Sequence, residues 1–588
     1  MVDPRIYRTG LVAVALAVVV VAFSLVDQQG PLASNLAPDA FSAQNALGLM
    51  NSLARRHPNR RPGSAGDAAV ASFVAGRLAQ YGFRVTTTSF RGRTAQGTRT
   101  LQSVTGARTG LSPGTIVVVS HRDSLRSPGI VDLSGTATML ELARVLAGET
   151  QHRTVVLAST SGSAGTAGAA ELARTLPGPI DAVIALGDLA SSRIRPGPPG
   201  PILVPWSTTQ DIAPPLLRGT VAAALSSQAG LRPGGAGLAE QLEHLAFPST
   251  LGEQAPFGAR GIPAVSLSLA GDHPVPAQGA TSSVRLGAMG RTVLQSVSAL
   301  DAGYEVPSGA PYLLFSGKVV PAWAIRLLVL ALLVPVLLAG LDGFARARRR
   351  GHAVAAGMAR ALTTALPFLA VGLLAVGARL VGVLPAAPPG PVAPGAVPLR
   401  GGGIALVVGL AIVLVGGLVL ALGMPRRPRT GARPPDPGRA IGTMTVAGLA
   451  GLALWVLNPF AAVVVVPALH LWLWLLDPEV RPHPAVSVTL LLAGLAAPVL
   501  LAVDYARTLG LDPAGALWNG LLLLAGGQVG ISTMAAWSVL LGCLMGVVAA
   551  ALGKLRGPRP ESAPVTVRGP VTYAGPGSLG GTKSALRR

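Results

Sequence analysis

From residue 319 onward the sequence is dominated by apolar stretches long enough to cross a bilayer as helices, about 20 residues each. They run over 319–340, 361–383, 403–424, 441–457, 461–476, 485–503 and 531–552. Backbone in hydrocarbon has to satisfy its N–H and C=O groups within the element, so an all-α transmembrane bundle is the expected form. A shorter piece, 514–527, is broken by Asn519 and glycines and reads as re-entrant. Near the amino end, Arg5 and Arg8 precede an apolar run over 11–26 with no clear small-x-small cleavage site after it. That is the pattern of an uncleaved anchor with a cytoplasmic amino end.

Composition agrees with a membrane protein: 50% of the 588 residues are hydrophobic and 12% charged, and the mean hydropathy is +0.53. A formal net charge of +22 would suit nucleic acid, but the arginines lie beside apolar spans with few aromatics between them for base stacking, so no nucleic-acid partner is expected. Arg346, Arg348, Arg349 and Arg350 follow the first span of the bundle, Arg426, Arg427, Arg429, Arg433 and Arg439 the third, Arg481 the fifth, and Lys554, Arg556 and Arg559 the last. Placing them all in the cytoplasm leaves the Pro-rich loop 385–398 and the mixed-polarity segment 30–315 outside, with eight crossings in all. His470 and Asp504 sit near span ends and read as snorkelling. A single cysteine, Cys543, inside an apolar span rules out a disulfide framework and a thiolate zinc site. Lysine occurs only at 318, 554 and 583 while Ala, Gly, Pro and Arg abound, a GC-rich bacterial coding bias.

Residues 30–315 read as an α/β domain. Thr115-Ile116-Val117-Val118-Val119 suits a strand buried on both faces of a sheet. Polarity then changes: His121 and Asp123 leave the strand, 129–135 is a turn-rich loop holding Asp132, and 136–146 is an amphipathic helix. Strands near 155–159, 181–186 and 264–269 alternate with helical segments and predict a mainly parallel sheet flanked by helices. Upstream, 43–81 holds two helical patterns separated by Arg55-Arg56-His57-Pro58-Asn59-Arg60-Arg61-Pro62-Gly63-Ser64, whose arginines read as a solvated loop.

This order of segments resembles the M28 family of zinc aminopeptidases, in which a His-x-Asp follows a buried strand and a Gly- and Asp-rich loop runs into a helix. Here the match is His121-Arg122-Asp123, then Gly129-Ile130-Val131-Asp132-Leu133-Ser134-Gly135, with Ala255-Pro256-Phe257 and Gly261-Ile262-Pro263-Ala264 further on. The resemblance implies His121 and Asp132 as zinc ligands, Asp132 bridging two ions, with Asp123 orienting His121 from behind. Asp188 and His273 resemble the remaining ligands. One departure is decisive: where the family has Gly-Glu-Glu, with a general base and a ligand, this chain has Gly162-Ser163-Ala164-Gly165. Neither Ser163 nor Ala164 can take a proton from water and pass it to a leaving amine, a step worth about 10²–10⁴-fold. Glu171 lies two turns along the next helix, away from that position. The reduced donor set implies one zinc or none.

The expected organisation is a cytoplasmic amino terminus and anchor (1–29), an extracytoplasmic M28-like domain (30–315), a bundle of about seven spans (316–556) and a disordered basic tail (557–588). Its domain order is similar to that of the GPI-attachment subunit of GPI transamidase. The sequence reading is a catalytically degenerate, pseudoenzyme-like domain that binds or assembles a peptide or amine-bearing envelope component, together with membrane protein partners. Two other readings stay open: an active membrane-anchored zinc aminopeptidase, and a transporter or assembly subunit whose external domain is structural.

Overall fold

The structure, a computed structural model, describes residues 3–34, 38–192, 201–235, 237–273, 280–384, 396–423, 437–477 and 482–556. Arg426, Arg427, Arg429, Arg433, Arg481, Arg559, most of the loop 385–398 and the tail 557–588 lie outside the described residues.

The chain opens with helix α1 (Pro4–Phe23) and strand β1 (Val26–Asp27). The α/β domain follows as α2 (Ala43–Arg56), α3 (Ala65–Gln80), β2 (Arg84–Thr94), β3 (Gly97–Arg108), β4 (Ser112–His121), α4 (Ser134–Leu146), β5 (Arg153–Thr160), α5 (Ala167–Thr175) and β6 (Ile180–Leu186). It continues through β7 (Leu203–Val204), α6 (Pro215–Ala229), α7 (Leu238–Ala246), α8 (Ala255–Gly258), β8 (Ala264–Leu267) and α9 (Ser283–Ala302).

The seven strands are ordered β2-β3-β5-β4-β6-β8-β7. The centre, β5-β4-β6-β8, is parallel, while β2, β3 and β7 pair antiparallel at the edges. The sheet is therefore mixed around a parallel core. Alternation explains the apolar run in β4: Ile116 and Val118 pack into the large cluster with α2, α3, α4 and α9, and Val117 and Val119 into the smaller one with α5 and α8. The long β2–β3 hairpin escapes a hydrophobicity reading because most of β2 is exposed. Helix α3 starts with a reciprocal cap: Ser64 Oγ accepts from Asp67 N at 3.3 Å, and Asp67 Oδ2 accepts from Gly63 N at 2.9 Å.

The reading of Arg60 as solvated is corrected here. Its guanidinium is fully buried and donates to the carbonyls of His57, Pro128, Gly129 and Arg122 at 2.7–3.2 Å. Four carbonyls on one fork replace water and fix the loop that carries Asp132.

A hairpin, β9 (Tyr312–Phe315) and β10 (Lys318–Pro321), turns through Ser316 and Gly317, both at positive φ, and pairs with β1. It ties the end of α1 to the start of the bundle: α10 (Ala322–Arg349), α11 (Val354–Leu380), α12 (Gly401–Gly423), α13 (Pro437–Leu457), α14 (Pro459–Leu476), α15 (Pro484–Thr508), α16 (Pro513–Gly526) and α17 (Ile531–Arg556). Among the described residues eight helices, α1, α10–α15 and α17, are long and apolar enough to cross a membrane, and the chain is a multi-pass membrane protein. Helix α16, the piece read as re-entrant, is a continuous 14-residue helix. It follows the domain-side end of α15, and Gln528 just beyond it donates to Thr208 O and Pro248 O of the domain. Both its ends therefore stand on one side. Arg379 of α11 caps its carboxyl end, donating to Ala525 O and Gly526 O at 2.9 Å.

His470 does not snorkel. Nδ1 meets the Tyr7 hydroxyl of α1 at 2.7 Å and Nε2 lies 2.8 Å from Leu332 O of α10, so the ring joins three helices. Close approach elsewhere rests on glycine. Gly438 and Gly442, four apart on α13, would drive a Cβ to 2.9 Å and 2.5 Å from the backbone of Ala353 and Val354. Gly442→Leu is expected to lower the melting temperature of the detergent-solubilised chain, read by tryptophan fluorescence, whereas Gly416→Leu, where nothing lies within 4 Å, leaves it unchanged.

Candidate functional site

The carboxyl ends of the parallel strands carry the polar residues, as the geometry of an open α/β sheet requires. His121 ends β4 opposite Thr160 of β5. Its carbonyl accepts from Thr136 Oγ1 of α4 at 2.7 Å, which anchors the strand end to the helix behind it. Gly135 allows that approach: a Cβ there would meet Leu186 O at 2.7 Å.

His121 Nδ1 pairs with Glu253 Oε2 at 3.6 Å, and Thr160 Oγ1 donates to Glu253 Oε1. Burial alone would depress the imidazole; the bond to Glu253 and the charges of Asp123 and Asp132 reverse this and lift it to about 9. Asp123 is buried and accepts from Ser163 N at 3.2 Å and Ser163 Oγ at 2.9 Å. Desolvation raises its carboxyl to about 7, with the carboxylates of Asp67 and Glu253 adding to that and His121 opposing it.

The loop delivering Ser163 is built from left-handed residues, Gly162 at φ +83°, Gly165 at +107° and Thr166 at +54°. A β-branched residue in that region is strained, and such strain persists only where surroundings over-determine it. The same loop reaches the bundle, for Ala164 packs against a cluster containing Leu384, Val397 and Trp518. The domain thus turns its site-bearing edge toward the membrane helices.

Asp132 lies in a short 3-10 turn, Val131–Leu133, and accepts from Ser124 Oγ. Gly129, at φ +50°, leaves room for that contact, since a Cβ would fall 2.3 Å from Ser124 Oγ. Asp188 is buried; Oδ1 accepts from Ala190 N at 3.0 Å and Ser191 N at 2.9 Å, while Oδ2 has no hydrogen-bond partner. Its carboxyl is raised by burial, opposed by those bonds. His273 shares a cavity of about 90 Å³ with His121, Ser163, Glu253 and Ser268. Next to it Asp272 is raised to about 6 by burial, although it accepts from Thr250 Oγ1 and Leu251 N at 2.7 Å.

Of the four expected ligands, His121 and His273 share this cavity, while Asp132 and Asp188 are held in their own turns. Among the described residues no three His, Cys, Asp or Glu side chains come together as a group that could hold a metal ion. His121 is engaged by Glu253, Asp132 by Ser124 and Asp188 by its own turn. Asp123, expected behind His121, bonds Ser163 instead. Held in these pairings, the described side chains form no metal site. Glu171, the nearest acid downstream of Ser163, is held by Arg174 at 2.6 Å on the outer side of α5. Glu253 was missed by sequence reasoning; the available signal was an acid two residues before the family-like Ala255-Pro256-Phe257.

The sequence model of peptidase family M28 matches residues 103–193, which span β3 to β6 and the loops of this site. No match is found among curated proteins. Solved structures similar to the chain include BSAP, a zinc aminopeptidase from Bacillus subtilis, at 14% identity and a TM-score of 0.36, covering 44% of this chain and 94% of that one. An aminopeptidase from Aneurinibacillus sp. strain AM-1 is similar at 15% identity and 0.37, covering 46% and 95%. Porphyromonas gingivalis glutaminyl cyclase is similar at 18% identity and 0.32, covering 44% and 98%. Residues 103–193 thus match peptidase family M28, and the domain that contains them has an M28 aminopeptidase-like α/β fold.

Proposed function

We propose that this membrane protein carries a degenerate peptidase domain, which holds the amine-bearing end of a peptide or envelope component without cleaving it. One observation carries the reading: at the position of the family's base stands Ser163, turned onto Asp123, while the nearest downstream acid is paired to Arg174. The base position itself thus offers a hydroxyl in place of a carboxylate, and Glu253, which lines the same cavity, is paired with His121 at 3.6 Å. What the site keeps is small and acid-lined. A cavity of about 90 Å³ takes about three waters or one ammonium group, and the carboxylate of Glu253 lines it, its Oε2 3.6 Å from His121 Nδ1 and making no hydrogen bond. An ammonium group satisfies such an acceptor by a charge-assisted bond.

The orientation we favour puts the amino terminus and the arginine-rich ends in the cytoplasm and the domain outside. Asp3 pairs with Arg346 at 2.7 Å at the end of α10 far from the domain, where Arg348 and Arg349 also lie. Partners held by the bundle would receive the bound component from a site that already faces the helices.

Calorimetric titration of the detergent-purified full chain with glycinamide and short peptide amides tests the binding. Saturable heat is expected at neutral pH, with Glu253→Gln weakening affinity about tenfold, the value of one charge-assisted bond. Absence of binding, or no effect of Glu253→Gln, would overturn the reading.

A further inference from the structure

We propose that the groove between α14, α15 and α17 binds one hydrocarbon chain of an anionic membrane lipid, with the lipid head group at Arg507. The groove encloses about 550 Å³ and its lining is apolar apart from Arg507. Its lining extends along α15 from Gly494 to Arg507. Thirteen residues at 1.5 Å each make it about 20 Å long, more than the ~15 Å depth of one leaflet's hydrocarbon. A long, narrow, apolar groove of this kind, open to the bilayer along one side and ending at a single cation, suits one extended hydrocarbon chain with a charged head group.

Sequence accounts for the opening. Pro498 lines the groove and interrupts the hydrogen-bond ladder of α15. Gly494 leaves space where a Cβ would meet the Trp472 indole nitrogen at 2.4 Å, and that indole N–H is buried without a partner. Helix α15 packs mainly on α14 and touches α17 only lightly, so one side stays open to lipid.

Charge fixes which end takes the head group. Arg507, in the last turn of α15, is exposed and has no ion-pair partner among the described residues. One turn back, Asp504 faces Glu243 of α7, and Trp537, which lines the groove, meets the Phe247 ring at 5.7 Å. The charged end therefore lies against the α/β domain. A guanidinium there presents a planar fork to a phosphodiester, and the only charge in an apolar lining selects lipids of opposite sign.

The full chain is reconstituted in nanodiscs containing phosphatidylglycerol with a diazirine in one acyl chain, and in parallel with the matching phosphatidylcholine. After irradiation, adducts are mapped by mass spectrometry. Adducts are expected on 464–472, 494–506 and 537–544, about fivefold more abundant with phosphatidylglycerol. Arg507→Gln should remove that preference, Arg507→Lys retain most of it, and Leu495→Trp, which fills the channel, lower labelling by both lipids. Since Arg507 is exposed, Arg507→Gln reports even if Leu495→Trp fails to fold. Labelling spread evenly to the outer face of α12, equal labelling by both lipids, insensitivity to Arg507→Gln, or adducts to a co-purifying protein at these residues would each overturn the proposal.

Discussion

Arg122→Ala is expected to destabilise the α/β domain by about 3–5 kcal/mol, the cost of leaving a buried charge without its partner. Arg122 is fully buried in the middle of the His121-Arg122-Asp123 turn. Its Nε lies 2.8 Å from Asp67 Oδ1, and it also donates to the carbonyls of Asp67, Ser159 and Gln102 at 2.7–3.2 Å. It therefore clasps α3, β3 and β5 to the loop that leaves β4. Removing it strands the Asp67 carboxylate with only Ser161 Oγ at 2.6 Å and Gly63 N at 2.9 Å, and takes one donor from each of three carbonyls. For a domain of this size the loss corresponds to a fall in melting temperature of about 6–20 °C, read by pulse proteolysis of the full chain on heating. Substituting both partners, as Arg122→Met with Asp67→Leu, should recover part of the loss, because the penalty comes from the unpaired charge rather than from missing volume.

A second large effect is the pH dependence of stability. His121 has a folded value raised to about 9 against about 6.5 unfolded. Its contribution is full below pH 6.5 and is lost as pH rises through 9. Asp123, raised to about 7 by burial, acts in the same sense at lower pH: the folded domain holds its proton where the unfolded chain has released it, so stability falls from about pH 4 to pH 7. Glu243 on α7, raised to about 9 by burial and the facing Asp504, adds to this decline. His244 opposes them at the acid end. Burial depresses it to about 4, so its contribution is lost as pH falls from 6.5 through 4. The domain should therefore be more stable at pH 6 than at pH 9, and His121→Asn should flatten the curve above pH 6.5 while leaving the decline from Glu243. A profile rising from pH 6 to pH 9, or one unchanged by His121→Asn, would contradict the His121–Glu253 pairing.

What the sequence made legible follows from periodicity and solvent. Residues 115–119 announced a doubly buried strand because nothing polar interrupts them, and the spans of the bundle were visible because hydrocarbon tolerates few alternatives. The edge hairpin β2–β3 gave little signal, since exposed strands such as Arg84–Thr94 have no apolar face to display. Arg60 and Arg122 were hidden for another reason. Arginine is almost always solvated, and only the fold brings the carbonyls of 57, 128 and 129, or of 67, 102 and 159, within reach of one guanidinium. Glu253 was obscured because 132 residues separate it from His121. That number is the difference between their positions in the chain, and no local pattern records which of several loops will meet a strand end. The site as a whole was legible as a set of loops in the right order and illegible as a geometry: sequence placed His121, Asp132, Asp188 and His273 on those loops, but not the internal partners, Glu253, Ser124 and Ser163, that occupy the polar groups there.

The most direct test of a degenerate site combines two readings on one sample of the purified full chain: zinc per chain by elemental analysis after exposure to zinc and dialysis, and hydrolysis of a panel of aminoacyl substrates. The account predicts less than one tightly held zinc per chain and no turnover above a His121→Ala control. About two zincs per chain, with turnover abolished by His121→Ala, would contradict it.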